Sequence, residues 1–251
     1  MLPKEKEIAI TKIHGLVYKR EICGRERYVV PTFHPAFVGR NKSVLYPQLL
    51  KDLRTAKSII EGPEAAGLPY SDRLGSWAEF LEMLNRGKAL GEFAVDFETA
   101  EFYKEIVGIG VAVGPGRENA LYWPAATHDE LLSHWKGIKP YLEDPGIVKI
   151  IQNANYEIMT ALPYNTRICN VRDTMIEAWL LGDRPALGLK PMALRYRGME
   201  MIQIEDLIGS GKKRRSMRVV QNEDEALVGR YAAADPDATW RLHKLHQPLL
   251  D

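Results

Sequence analysis

Apolar and polar positions alternate along this chain in two different rhythms. Between residues 93 and 151 the apolar positions come in short blocks: Phe93-Ala94-Val95-Asp96-Phe97, Ile106 to Val113, Ala120-Leu121-Tyr122-Trp123 and Val148-Lys149-Ile150-Ile151. Each block has the length and the β-branched or aromatic content of a strand, and Gly114-Pro115-Gly116 turns the second into the third. Elsewhere the helical spacing of three to four dominates and predicts helices at about 129–142, 153–162, 173–181, 190–197 and 222–247. Ser76-Trp77-Ala78-Glu79 adds a capping box, which opens a further helix running to about Asn85. Strands first and helices after, with one strand reached through a helix, predict an α/β fold with a mixed sheet flanked by helices.

The first third reads differently. Ile8-Ala9-Ile10 and Arg27 to Pro31 have strand character, and Val44 to Ile60 has helical spacing with Leu45, Leu49, Leu50, Leu53, Ile59 and Ile60 near one face. That small α/β fragment is hard pressed to bury a core alone. The Gly-, Pro- and Ala-rich run Glu61 to Pro69 then reads as a break. The expected organisation is therefore a fragment at 1–62, a linker at 63–74 and a larger domain at 75–251.

Composition narrows the class. In 251 residues, 45% are hydrophobic, 27% charged and 9% aromatic, a globular balance that excludes disordered, collagenous and coiled-coil chains. No run reaches the roughly 18 apolar residues that cross a bilayer, so no membrane partner is expected. The two cysteines, Cys23 and Cys169, are too few for a disulfide framework or a four-thiolate cluster, which points to a reducing, intracellular, cytoplasmic setting. Lys and Arg number 34 against 33 Asp and Glu, so a nucleic-acid partner would have to be held by a local basic surface.

The candidate chemistry lies in carboxylates. Asp96 and Glu98 end an apolar strand at i and i+2, which points both to one face; two such charges repel unless a cation neutralises them, and hard ions such as Mg²⁺ or Mn²⁺ prefer these oxygen ligands. Gln152-Asn153-Ala154-Asn155-Tyr156-Glu157 follows the fourth strand, with Asn153 placed to cap the next helix and Glu157 projecting from its first turns. In Tyr231-Ala232-Ala233-Ala234-Asp235 the helical spacing of four stacks a hydroxyl over a carboxylate, and the alanines between them allow close approach to a neighbouring surface. Singly, a solvated strand end, a capped helix and an interfacial tyrosine explain each element as well.

In this order and at these intervals the three elements resemble the exonuclease motifs of the DnaQ-like, ribonuclease H-like superfamily in its tyrosine-bearing subgroup, with the nearest match in the 3′–5′ proofreading domain of family A DNA polymerases. Asp173-Thr174-Met175 to Leu181, Gly188 to Gly198 and Gly209-Ser210-Gly211-Lys212-Lys213 extend the similarity. The resemblance implies hydrolysis of the terminal phosphodiester at the single-stranded 3′ end of DNA, releasing nucleoside monophosphates, with two divalent metals ~3.5–4 Å apart. It implies that Asp96 bridges both metals, that Glu98 and Asp235 hold the one on the nucleophile side, and that Tyr231 orients the attacking water. Glu157 stands where the family usually has Asp, and its extra methylene moves the carboxylate by about 1.5 Å. The resemblance further implies that Phe102 takes the position of an apolar wedge near the terminal bases, that Ile204 packs against the strand end, that Thr99 and Asn153 offer polar contacts, and that Lys212 and Lys213 reach phosphates. A polymerase domain or replication complex is the implied partner. The alternatives are an RNA-trimming exonuclease similar to ribonuclease D, and a module that grips single-stranded 3′ ends without cutting them.

Ile10 to Gly15 with Val29 to Asn41, including His34-Pro35-Ala36, resemble the C-terminal part of iron–sulfur-type uracil-DNA glycosylases. The resemblance implies a truncated domain at 1–62, with His34 in the place of a catalytic histidine but without the segments that read uracil.

Overall fold

The computed structural model describes residues 9–40, 42–66, 69–183, 186–198 and 200–250. In chain order the elements are α1 (Ile10–Ile13), β1 (Tyr18–Ile22), β2 (Arg25–Val29), α2 (Pro35–Arg40), α3 (Lys42–Ala66), α4 (Trp77–Leu90), β3 (Glu92–Thr99), β4 (Ile106–Ala112), β5 (Ala120–Pro124), α5 (His128–Glu143), β6 (Val148–Ile151), α6 (Asn155–Ala161), β7 (Val171–Asp173), α7 (Thr174–Leu180), α8 (Leu189–Arg197), α9 (Ile204–Ile208), α10 (Met217–Glu223) and α11 (Glu225–Leu250). Two compact units result, Met1–Gly67 with Asp183–Glu200, and Leu68–Gly182 with Met201–Asp251.

In the first unit β1 and β2 form an antiparallel two-stranded ribbon, and α8 packs on α3. Polar groups are buried in pairs, as burial of charge requires. Asp52 on α3 accepts from Thr32 Oγ1 at 2.6 Å and meets His14 Nδ1 at 3.1 Å, while Asp183 takes Arg195 at 3.1 Å, Tyr196 Oη at 2.7 Å and Lys51. Residue 10 begins a helical turn where the sequence predicts a strand, and Ile8 lies outside the described residues. The break expected from Glu61 is helical as far as Ala66, because the surrounding helix formers carry α3 through Gly62-Pro63. The ribbon strand β1 has too many charges for periodicity to reveal it.

The second unit holds a five-stranded sheet in the order β5-β4-β3-β6-β7. The β3–β4 and β4–β5 pairs are antiparallel and β3–β6 and β6–β7 parallel, which gives the mixed sheet the sequence predicts, with β7 as an added edge. Helix α4 starts on the expected capping box: Ser76 Oγ accepts from the Glu79 amide, Glu79 accepts from the Ser76 amide at 2.8 Å, and Gly91 closes the helix in the left-handed region. One face of the sheet buries Phe93, Val95, Phe97, Ile109 and Val111 against Phe80, Leu131, Trp135 and Ile138 of α4 and α5. The other is lined by small residues, Ala94, Ala112 and Ala120, and takes α11. The latter half of the expected linker belongs to this unit: Tyr122 N donates to Arg73 O at 2.9 Å and Gly75 N to Tyr122 O at 2.8 Å along β5. Asp237 of α11 accepts from Ser71 N at 2.8 Å, from Gly116 N at 3.0 Å and from Arg241 Nε at 2.6 Å.

Candidate active site

The pleat of β3 sends Val95 and Phe97 into the core and Asp96 and Glu98 to the opposite face, under α11. Register decides what surrounds them. Asp96 is paired with Gly110 and Glu98 with Gly108 of β4, so neither carboxylate has a side chain across the strand. A Cβ on Gly110 would come within 2.7 Å of the Ala232 carbonyl oxygen and 2.9 Å of Pro236 Cγ; one on Gly108 would overlap the Tyr122 hydroxyl. Gly110 thus lets α11 settle onto the sheet and Gly108 makes room for the Tyr122 ring, and Ala232, Ala233 and Ala234 of α11 are buried. The alanines were legible in the sequence as close-approach residues, whereas the two glycines became functional only once the register was known.

This approach brings distant acids together. One carboxylate oxygen each from Asp96, Glu98 and Asp235 lies within 4.8 Å of the others, with Glu98 and Asp235 buried and Asp96 half-buried. Three like charges so close, partly removed from water, are tolerable when a cation sits among them, and an all-oxygen donor set suits Mg²⁺ or Mn²⁺ rather than softer metals. The residues therefore fit the metal chemistry that their sequence pattern implies.

Glu157, in the first turn of α6, is 2% exposed and stands outside this trio. Burial pushes its carboxyl well above the usual carboxylate range, and the nearby Asp96 charge adds to the rise, against hydrogen bonds from the backbone of Glu157 and Phe97. Its Oε2 makes no hydrogen bond to any described residue. Tyr231, one turn before Asp235, is 7% exposed. Burial raises its hydroxyl pKa well above 10, and the charges of Asp235, Glu98 and Asp96 reinforce that, so it stays protonated at neutral pH.

The turn that presents α6 is held by a residue absent from the sequence-based site. Asp173, the N-cap of α7, accepts from Asn153 N at 3.0 Å, Ala154 N at 2.9 Å and Met175 N at 2.9 Å. Asn153, predicted to cap α6 with its side chain, instead takes the left-handed conformation at φ 59°, and α6 begins after Ala154 with no side-chain cap. Asp173 supplies the acceptors in its place. The Asp-Thr-Met pattern was the available signal, since Asp before a helix is a common cap.

The remaining candidates divide. Thr99 Oγ1 is hydrogen-bonded to Tyr156 Oη, next to a bulge in β3. Phe102 is 66% exposed, with Tyr103 and Tyr156 rings 4.2 and 5.2 Å away, so an aromatic surface adjoins the acids. Ile204 packs half-buried on the apolar cluster that includes Tyr231. Lys213 and Arg214 are exposed, Arg215 is tied to Glu223 at 2.5 Å, and the Lys212 side chain lies outside the described residues. Periodicity places Tyr122 on a strand without marking it for the site; its buried hydroxyl donates to Gln221 Oε1 at 2.6 Å, while Gln221 Nε2 donates to Val107 O at 3.0 Å.

Comparison with known proteins bears on this arrangement. Residues 76–251 match the family described as 3′–5′ exonuclease. DNA polymerase I of Pseudomonas aeruginosa is 30% identical over 232 residues, a match that takes in 83% of this chain and 24% of that enzyme. The chain thus spans about a quarter of that relative's length. Among solved structures, Escherichia coli RNase D, an exoribonuclease involved in structured RNA processing, shares the fold at a TM-score of 0.50 and 20% identity, over 72% of this chain and 44% of that one. The Aedes aegypti Nibbler EXO domain shares it at 0.53 and 13%, over 70% and 87%. The sheet order and the helices around it are those of the ribonuclease H-like exonuclease fold.

Proposed function

We propose, on the premise that this chain belongs to the 3′–5′ exonuclease family, that it is a metal-dependent exonuclease of the proofreading type acting on the 3′ end of single-stranded DNA. The observation that carries the reading is the convergence of Asp96, Glu98 and Asp235 from β3 and α11. DNA is favoured over RNA because the curated relative at 30% identity is a DNA polymerase, whereas the RNase D likeness is one of fold. A polymerase domain or replication complex is the partner that this relationship suggests. Residues 1–62 we leave as a glycosylase-like remnant on the residues quoted for it; His34 there is exposed, with Nδ1 accepting from Ala36 N at 3.2 Å.

In this mechanism Asp96, Glu98 and Asp235 would hold two divalent ions, with Glu157 as a fourth carboxylate ligand. When bound, such ions activate water and stabilise charge on the in-line transition state. The protein's own groups do the positioning. The protonated Tyr231 hydroxyl aligns the attacking water, whose oxygen bonds to phosphorus as the bond to the 3′ oxygen of the preceding nucleotide breaks. Phe102 stacks against the terminal bases, Thr99 and Asn153 make polar contacts, Ile204 supports the strand end, and Lys212 and Lys213 meet phosphates.

The test is to incubate the chain with end-labelled single-stranded DNA and RNA in Mg²⁺, Mn²⁺ or EDTA. Metal-dependent shortening of DNA to mononucleotides is expected; preferential trimming of RNA would move the assignment to a ribonuclease D-like activity. A second reading, retention of 3′ ends with little cutting, is favoured by one observation, the long Glu157 side chain whose Oε2 finds no hydrogen-bond partner among the described residues. If that side chain throttles the site, Glu157→Asp raises the rate roughly ten- to hundredfold, the scale of an ångström-level misplacement. An unchanged rate removes the second reading.

A further inference from the structure

Overall neutrality hides a segregation of charge. The first unit carries 16 Lys and Arg against nine Asp and Glu, a net of +7, while the second carries 18 against 24, a net of −6. The positive charge has a focus on the β1–β2 ribbon. Its register pairs Tyr18 with Val29, Arg20 with Arg27 and Ile22 with Arg25, and the two-residue period puts these six side chains on one face. The other face receives Lys19, Glu21, Glu26 and Tyr28, and there the cation has carboxylate partners: Lys19 Nζ lies 3.5 Å from both Glu26 and Glu200, and Tyr28 Oη donates to Glu200 at 2.8 Å. No carboxylate among the described residues pairs with Arg20, Arg25 or Arg27; Arg20 reaches only the Lys19 carbonyl, at 2.7 Å, and the Tyr18 ring, and Arg25 and Arg27 are exposed.

Like charges directly opposite one another destabilise a two-stranded ribbon, and this ribbon sets Arg20 against Arg27 with Arg25 one diagonal away. An anion that bridges them removes the repulsion. Three guanidinium groups spread over two adjacent strands fit a row of phosphates better than a single small anion, and Arg is the side chain suited to paired bonds with phosphate oxygens. A two-stranded ribbon also has the width of the B-form major groove, whereas the corresponding groove of duplex RNA is deep and narrow.

We propose that the Arg20/Arg25/Arg27 face of the β1–β2 ribbon is a binding site for the phosphate backbone of duplex DNA, separate from the carboxylate site. Binding there needs neither a metal nor a 3′ end. The experiment is therefore fluorescence anisotropy of the full chain with a labelled duplex closed by hairpin loops at both ends, in EDTA, across a salt series. Failure of the nuclease reading leaves this measurement untouched. The chain should bind the closed duplex; the triple variant Arg20→Gln, Arg25→Gln, Arg27→Gln should bind at least about tenfold more weakly in 0.1 M salt, with a log–log salt slope shallower by about 2 to 3. The triple Lys variant should stay within about threefold of the parent. Unchanged affinity and slope in the Gln variant would overturn the proposal, as would equal losses in the Gln and Lys variants, or binding of closed duplex RNA as tight as that of DNA.

Discussion

The clustered acids come from two parts of the chain, Asp96 and Glu98 from β3 and Asp235 from α11, and the cost of bringing them together is electrostatic. Asp96 is the half-buried member, and its charge reaches Glu157 and Tyr231 as well. Replacing it with Asn keeps the shape and removes one of the three charges that would hold a cation. Asp96→Asn should lower the metal-dependent exonuclease rate roughly a thousandfold, corresponding to several kcal/mol of transition-state charge stabilisation, and should weaken Mn²⁺ binding measured by calorimetry. At this scale the sequence was informative wherever local geometry fixes direction: the strand period put Asp96 beside Glu98, and the helical period put Tyr231 over Asp235. Asp173, Gly108, Gly110 and Gln221 escaped notice because their roles depend on which strand or turn they meet, and no local pattern states that.

Elements begin and end where short polar motifs say so, and α4 is the clearest instance. The Glu79 carboxylate accepts from the backbone and side chain of Ser76 and from Arg73, and these bonds, in that order, hold its pKa down to about 2. A depressed folded-state pKa favours folding above the ordinary value of 4.5, and that contribution fades as pH falls from about 4.5 towards about 2. Ser76→Ala should lower stability at neutral pH by about 1 kcal/mol in urea unfolding. Its deficit should shrink in part as the pH is taken down through that window, since protonation of Glu79 weakens in the parent the bond its carboxylate accepts from Ser76 Oγ, while the bond from the Glu79 amide to Ser76 Oγ persists. Helix α4 was legible to its cap, as were β3 to β6, because each is apolar and bounded by turn residues. Arg27 to Val29 of β2 were legible as a strand, but β1 and the short β7 were not: a charged strand and a three-residue edge carry too little periodicity, and a helix continuing through Gly62-Pro63 contradicts the usual meaning of those residues.

Across the whole molecule, long-range ties decide which stretches of chain belong together. Asp237 is fully buried and holds Ser71, Gly116 and Arg241 at once, so one carboxylate fixes a segment before α4, the turn between β4 and β5, and α11. Removing its charge takes away the buried carboxylate that Arg241 binds through both Nε and Nη2. Asp237→Asn should destabilise the second unit by roughly 3–5 kcal/mol, read as a lower urea midpoint. The grouping of Asp183–Glu200 with residues before 68 is a relation of the same kind, invisible to any reading that follows the chain in order. None of the described helices is long and apolar enough to cross a membrane.

Pro236 directly follows the last of the clustered acids, inside α11. Having no N–H, it deprives the Ala232 carbonyl of its usual helical partner, and that same oxygen leans over Gly110. In a random mutagenesis library, then, changes at these two positions should not be inherited independently: enlarging residue 110 would be tolerated chiefly in clones where residue 236 has also changed, a pairwise dependence that surveys of single substitutions would miss.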